Sequence, residues 1–103
     1  MAKGQESKAG DSLGPCPICG REMVMGPSVD YHHWLPRAYG GRLAQPVHLI
    51  CHRKLHSLFS EKELATVYTT PEAVRRHPAM QTFIRWVRRR PPEFYDRHKK
   101  PRR

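Results

Sequence analysis

His48-Leu49-Ile50-Cys51-His52-Arg53-Lys54-Leu55-His56 carries two ligand patterns that meet at Cys51 and His52. His48-x2-Cys51 repeats the internal spacing of the upstream Cys16-Pro17-Ile18-Cys19. His52-x3-His56 sets two imidazoles one helical turn apart, and His32-His33 lies upstream as their counterpart. Each pattern needs a distant partner, so one compact fold has to close both.

The first pattern pairs two short chelating turns, and its donors are the soft and borderline ligands that a transition metal prefers. Cys16, Cys19, His48 and Cys51 together make a tetrahedral Cys3His set, the composition of a closed structural zinc site. Gly20, directly after Cys19, allows a positive φ without a Cβ clash. Three cysteines cannot all pair within one chain. A redox role for Cys16-x2-Cys19 would need a βαβ context, whereas the motif sits in a turn-like Gly14-Pro15-Cys16-Pro17-Ile18-Cys19-Gly20. Zinc is therefore the expected occupant.

At 103 residues the chain is one domain with tails. A core this small profits from a metal staple. Lys and Arg number 19 against 9 Asp and Glu, a net charge of +10, which favours a polyanionic partner. No long apolar run and no signal-peptide pattern follows Met1, so no membrane partner is expected and a cytoplasmic setting is the default.

Residues 1–13 are small and polar without periodicity and are predicted to be a disordered tail. The folded domain is expected over 14–95, with a core at 14–60 and a helical extension at 61–95. A basic tail follows over 96–103. Strands are predicted over 29–34 and 43–49, the second broken by Pro46, with a loop at 36–41 between them. A helix is predicted over 51–59, with Leu55, Leu58 and Phe59 on its apolar face. Ser60 with Glu63 forms a capping box for a helix over 61–68, and Thr70-Pro71 opens a short helix to about Arg76. A last helix runs from Pro78 to about Arg90 on Phe83, Ile84, Trp86 and Val87.

The segment Asp30-Tyr31-His32-His33-Trp34-Leu35-Pro36-Arg37-Ala38-Tyr39-Gly40-Gly41, followed by His48-x2-Cys51-His52-x3-His56, resembles the HNH endonuclease family. The shared pattern is a paired histidine before x-x-Pro, a Gly-Gly loop, and a zinc knuckle whose last member begins a histidine-bearing helix. It covers about half the chain. The resemblance implies an α+β class with a small ββα-metal (His-Me finger) core stapled by a structural zinc, with additional C-terminal helices. It implies metal-dependent hydrolysis of DNA phosphodiester bonds. His32 would bind a catalytic divalent ion and His33 would be the general base. His52 and His56 complete the ion site, which could take Zn2+, Ni2+, Co2+, Mn2+ or Mg2+.

The chemistry agrees with the residue types. Neutral histidine can take a proton from water near pH 7, and one divalent ion can stabilise both phosphate and leaving oxygen. Neighbouring strand residues face opposite sides, so His32 and His33 can share a site only where the strand ends. The family's middle asparagine has no counterpart: Leu43 stands where it is expected, with Gln45 nearby. Orientation of His33 is therefore assigned to a backbone carbonyl or to Gln45. Gly40-Gly41 is assigned to loop geometry, and Tyr31 and Trp34 to the core.

Arg37 is a candidate phosphate clamp. Arg85, Arg88, Arg89 and Arg90 on or beside the last helix are candidate nucleic-acid contacts. From Arg75 onward there are eleven Lys/Arg and two Asp/Glu. The expected partner is DNA, double-stranded and bound without strong sequence specificity. The rival reading is a non-catalytic zinc module that binds nucleic acid.

Overall fold

The chain's helices and strands follow its cap and turn residues, with the ligand turns setting the junctions. The computed structural model describes residues 8–95, with Arg37 described by its backbone alone. The elements run β1 (Ser12–Pro15), β2 (Glu22–Val24), β3 (Val29–His32), a 3-10 turn (Arg37–Tyr39), β4 (Gln45–His48), α1 (Leu49–Leu58), α2 (Glu61–Thr66), α3 (Pro71–Arg75) and α4 (Pro78–Val87). β1 pairs antiparallel with β2, and β3 with β4, giving two separate two-stranded sheets. The result is a small, compact α+β domain.

The first hairpin is built around the Cys16–Gly20 turn. Cys16 N donates to Arg21 O at 2.8 Å, Gly20 N donates to Cys16 O at 2.9 Å, and Gly20 adopts φ +85°. Backbone bonds between Gly10 N and Met25 O and between Met25 N and Asp11 O extend this pairing toward the N-terminus. The predicted disordered tail over 1–13 is thus corrected at its end. Ser12 and Leu13 belong to β1, because pairing with residues 22–25 satisfies a backbone whose side chains show no periodicity. Residues 1–7 of that tail lie outside the described residues, as do 96–103.

In the second sheet Val29 faces His48, Asp30 faces Val47, Tyr31 faces Pro46 and His32 faces Gln45. Pro46 is accommodated because a two-stranded ribbon has only edge strands. β3 ends at His32 rather than at the predicted Trp34, and the chain bends ahead of Pro36. In the 33–44 loop Gly40 has φ +90°, and a Cβ on Gly41 would lie 1.7 Å from Leu35 O. That loop geometry is the role expected for the glycine pair.

α1 starts at Leu49, two residues earlier than predicted. Its N-cap is His48, with extended backbone (φ −66°, ψ 140°) and no side-chain capping bond. The start is held by neighbours instead: Leu49 N donates to Ser28 O at 2.8 Å, and His48 N donates to Cys16 Sγ at 3.4 Å. No cap residue marks this boundary, which is why it escapes a sequence reading. α1 packs on the β3–β4 ribbon and buries Ile50, Cys51, Leu55 and, past its end, Phe59.

The predicted caps stand. Glu63 N donates to Ser60 Oγ while Ser60 N donates to Glu63 Oε1, and Ala73 N donates to Thr70 Oγ1. α4 buries Met80, Ile84 and Val87, an i, i+4, i+7 stripe. Trp86, predicted as an apolar contributor, is 44% exposed and carries the Arg90 guanidinium 4.8 Å from its ring centroid. Among the described residues no helix is long and apolar enough to cross a membrane.

Candidate metal centres

Two clusters of ligand side chains flank the start of α1. Cys16 and Cys19 come from the first hairpin turn, His48 from the end of β4 and Cys51 from the first turn of α1. All four are buried, and their ligand atoms lie within 4.8 Å of one another. Cys19 Sγ stands 3.4 Å from His48 Nδ1. That matches the edge of about 3.5 Å of a tetrahedron built on zinc–sulfur and zinc–nitrogen bonds of about 2.3 and 2.0 Å. His48 Nε2 donates to Pro92 O at 2.8 Å, so Nδ1 is the nitrogen free to bind. The cluster fits a metal such as zinc in its donor set and its spacing.

The electrostatics point the same way. Hydrogen bonding from Cys16 and then Cys51 holds the Cys19 thiol far below its ordinary value, as thiolate. Cys16 and Cys19, with burial, push Cys51 well above it. Burial pushes His48 down, but the Cys16 and Cys19 sulfurs outweigh it and raise the imidazole to about 9. The cluster thus holds protons shared among closely placed donor atoms, which a divalent cation would displace as it binds.

The C-terminal extension fastens this cluster from outside. Arg21 Nε donates to Cys19 Sγ at 3.4 Å and its NH1 to Pro91 O at 2.6 Å. Arg75 NH1 donates to Pro17 O at 2.5 Å, and Arg88 Nε to Cys19 O at 3.1 Å. Arg88, a candidate nucleic-acid contact, thus binds the backbone of the cysteine turn. The Arg90 guanidinium lies 4.8 Å from the Trp86 ring centroid and 5.9 Å from that of Phe94, with Nε buried and unpartnered among the described residues. Arg85 and Arg89 are exposed. Arg21 and Arg75 were not singled out from sequence; the carbonyl partner of each lies 58 or more residues away.

The second cluster gathers His32 at the end of β3 with His52 and His56 on α1. Ring centroids are 5.1 Å apart for His32 and His52, 5.7 Å for His32 and His56, and 4.8 Å for His52 and His56. They line a cleft of about 230 Å³ with Tyr31, His33, Pro36 and Glu61. His33 lies just beyond the strand, so pleat alternation no longer separates it from His32. His32 is 2% exposed, and among the described residues its Nε2 is buried with no hydrogen-bond partner. An orphaned imidazole nitrogen in a histidine cluster fits the place of a metal ligand. Burial, then the neighbouring His52, His56 and His33, lowers His32 to about 4. Burial and His52 also lower His56, against the opposing charges of Glu61 and Asp30. Both rings therefore stay neutral at pH 7, the state that binds metal.

Asp30 completes this arrangement and was given no role from sequence. His52 Nδ1 donates to Asp30 Oδ2 at 2.9 Å, fixing the tautomer that turns Nε2 toward the other imidazoles. Although burial opposes it, His52 and the Tyr31 N–H hold the Asp30 carboxyl below its usual range. The available signal was strand alternation, since Asp30 is two residues before His32 and shares its face. By the same alternation Tyr31 points outward and is 43% exposed, against the core place expected for it. Trp34 is half-buried with its ring edge-on to His32 at 4.5 Å. Its Nε1 donates to Gln45 Oε1 at 2.6 Å, so the Gln45 carbonyl is engaged by Trp34 and not by His33. The Arg37 side chain lies outside what is described.

A small α+β domain with a buried Cys3His cluster beside a histidine-lined cleft is the class these observations define. The chain belongs to the family of the uncharacterized protein YisB of Bacillus subtilis (strain 168). The two are 33% identical over 89 residues, spanning 84% of this chain and 86% of that one. No family model matches the chain, and no solved structure matches it.

Proposed function

We propose that the chain is a metal-dependent HNH-type endonuclease that hydrolyses DNA phosphodiester bonds, with β3, β4 and α1 as its ββα-metal core. The observation that carries this reading is the convergence of His32, His52 and His56 around an unpartnered, buried His32 Nε2, with His33 in the same cleft. A divalent ion held there would supply charge stabilisation to the phosphate and to the leaving oxygen. His33 takes the proton from the attacking water. Asp30 holds the His52 ring in its ligating tautomer. The Cys3His cluster, filled by zinc, fixes where α1 begins and so where His52 and His56 point. Arg37, Arg85 and Arg89 meet phosphates, and the net charge of +10 draws DNA to the chain. Three unpaired cysteines suit a reducing, cytoplasmic setting.

One observation favours the rival, a nucleic-acid-binding module without activity. The Gln45 carbonyl, the candidate stand-in for the family's asparagine, is spent on Trp34. Plasmid nicking with added Mg2+, Mn2+, Ni2+ or Zn2+ separates the two readings, with wild type beside His33→Ala. Loss of nicking in the variant, with DNA binding and metal content retained, is the expected result. Equal nicking by both proteins rules out the assigned mechanism, and DNA binding without any metal-dependent cutting favours the rival.

A further inference from the structure

The histidine cleft contains a carboxylate that the three-histidine reading leaves without a task. Glu61 lines the cleft beside His56, although it belongs to α2 and not to the strand–strand–helix unit that carries the histidines. Its backbone is held firmly. Phe59 is 6% exposed and stacks on Tyr68 at 4.0 Å, the Ser60–Glu63 capping box closes the turn, and Leu64 is fully buried.

The other carboxylates nearby are engaged. Asp30 Oδ2 accepts from His52 and Oδ1 accepts from Tyr31 N at 2.9 Å. Glu63 accepts from Ser60 N at 2.8 Å. Among the described residues no hydrogen bond or ion pair engages the Glu61 carboxylate. Capping the helix is the work of Ser60 and Glu63, so it does not account for Glu61 facing the cleft.

We propose that the Glu61 carboxylate is the fourth protein ligand of the ion held by His32, His52 and His56. The proposal rests on the histidine cluster being an ion site and does not require nuclease activity. Imidazole ligands bring no charge of their own and Asp30 meets the site only through the His52 ring, so one directly bound carboxylate would halve the divalent charge. Glu61 stands outside the group of ligand atoms that lie within 4.8 Å of one another. Glu61 is exposed at the cleft, so its side chain is free to change rotamer with no backbone change. A carboxylate oxygen added to imidazoles also widens the ion choice toward harder cations such as Mn2+, which three histidines alone hold poorly.

The test is metal binding by the full chain with its Cys3His cluster zinc-loaded. Mn2+ binding is read from the free-ion electron paramagnetic resonance signal, and Ni2+ binding by calorimetry. E61Q should weaken Mn2+ by about tenfold or more, the scale of losing a group that supports a metal, and Ni2+ by less. E61D should recover part of the Mn2+ affinity. A glutamate that serves only the start of α2 would shift the thermal midpoint and leave Mn2+ affinity alone. Unchanged Mn2+ affinity in E61Q, or an E61D no better than E61Q, overturns the proposal. Wild-type Mn2+ and Ni2+ binding by H32A would remove the histidine site itself. Absence of nicking overturns only the nuclease reading and leaves this measurement intact.

Discussion

Stripping the metal from the Cys3His cluster is the perturbation with the largest expected consequence. Cys19 and His48 are 29 residues apart in sequence, and an ion held by the cluster would cross-link them. Closing a loop of that length removes about 3–4 kcal/mol of unfolded-chain entropy in the chain-entropy model. At roughly 0.05–0.15 kcal/mol per residue, a domain of this size has only about 5–13 kcal/mol of stability. The cross-link alone is then a quarter or more of the total. With about 4–8 °C per kcal/mol for a domain this small, the melting midpoint falls by roughly 12–30 °C. The loss is a lower bound, because removing the ion also leaves a buried thiolate beside two other sulfurs and a cationic imidazole. The assay is a circular-dichroism melt before and after chelation, with zinc content measured on the same samples, and Cys19→Ser as the genetic equivalent. A fully zinc-free sample with an unchanged, cooperative midpoint would refute the reasoning.

Three further outcomes are expected. Asp30→Asn loosens the tautomer of His52 and should weaken ion binding at the histidine cluster by about 10–100-fold, while zinc content at the cysteines stays at wild-type level by metal analysis. Leu55→Ala, at a fully buried position on α1, should cost about 2–5 kcal/mol in denaturant unfolding; a change under about 1 kcal/mol would mean that α1 does not pack as described. His32 titrates near 4 when folded and near 6.5 when unfolded. Between those values the unfolded chain holds more protons, so stability falls as pH drops from about 6.5 towards 4. With the cysteine cluster zinc-loaded, His32→Gln should flatten that part of the midpoint-against-pH curve, and a bound ion should steepen it in wild type, since imidazole must shed its proton to ligate.

Much of the local structure was legible because its causes are local. Ser60 with Glu63, and Thr70 before Pro71, satisfy helix donors within a few residues, so those boundaries can be read from types and spacing. The two groupings of cysteine and histidine were equally readable, because matching short-range spacings pointed to them and the fold gathers the same side chains. The errors arose where distant groups decide. α1 begins at Leu49 because Ser28 O and Cys16 Sγ receive its first donors. Lys8 to Leu13 are ordered by pairing with the following hairpin strand, and Trp86 faces outward because Met80, rather than Trp86, completes the buried stripe of α4.

By itself, the sequence determined which cysteines and histidines are candidate metal ligands and how they divide into two groups, since donor type and turn spacing are properties of short segments. Only the tertiary structure decided what surrounds them. Asp30 came to His52, Glu61 came to the cleft, and Arg21, Arg75 and Arg88 came to the cysteine turn. Hydrogen-bond partners 22 to 70 residues apart meet only when burial of the core brings their elements together, and no local pattern encodes that meeting.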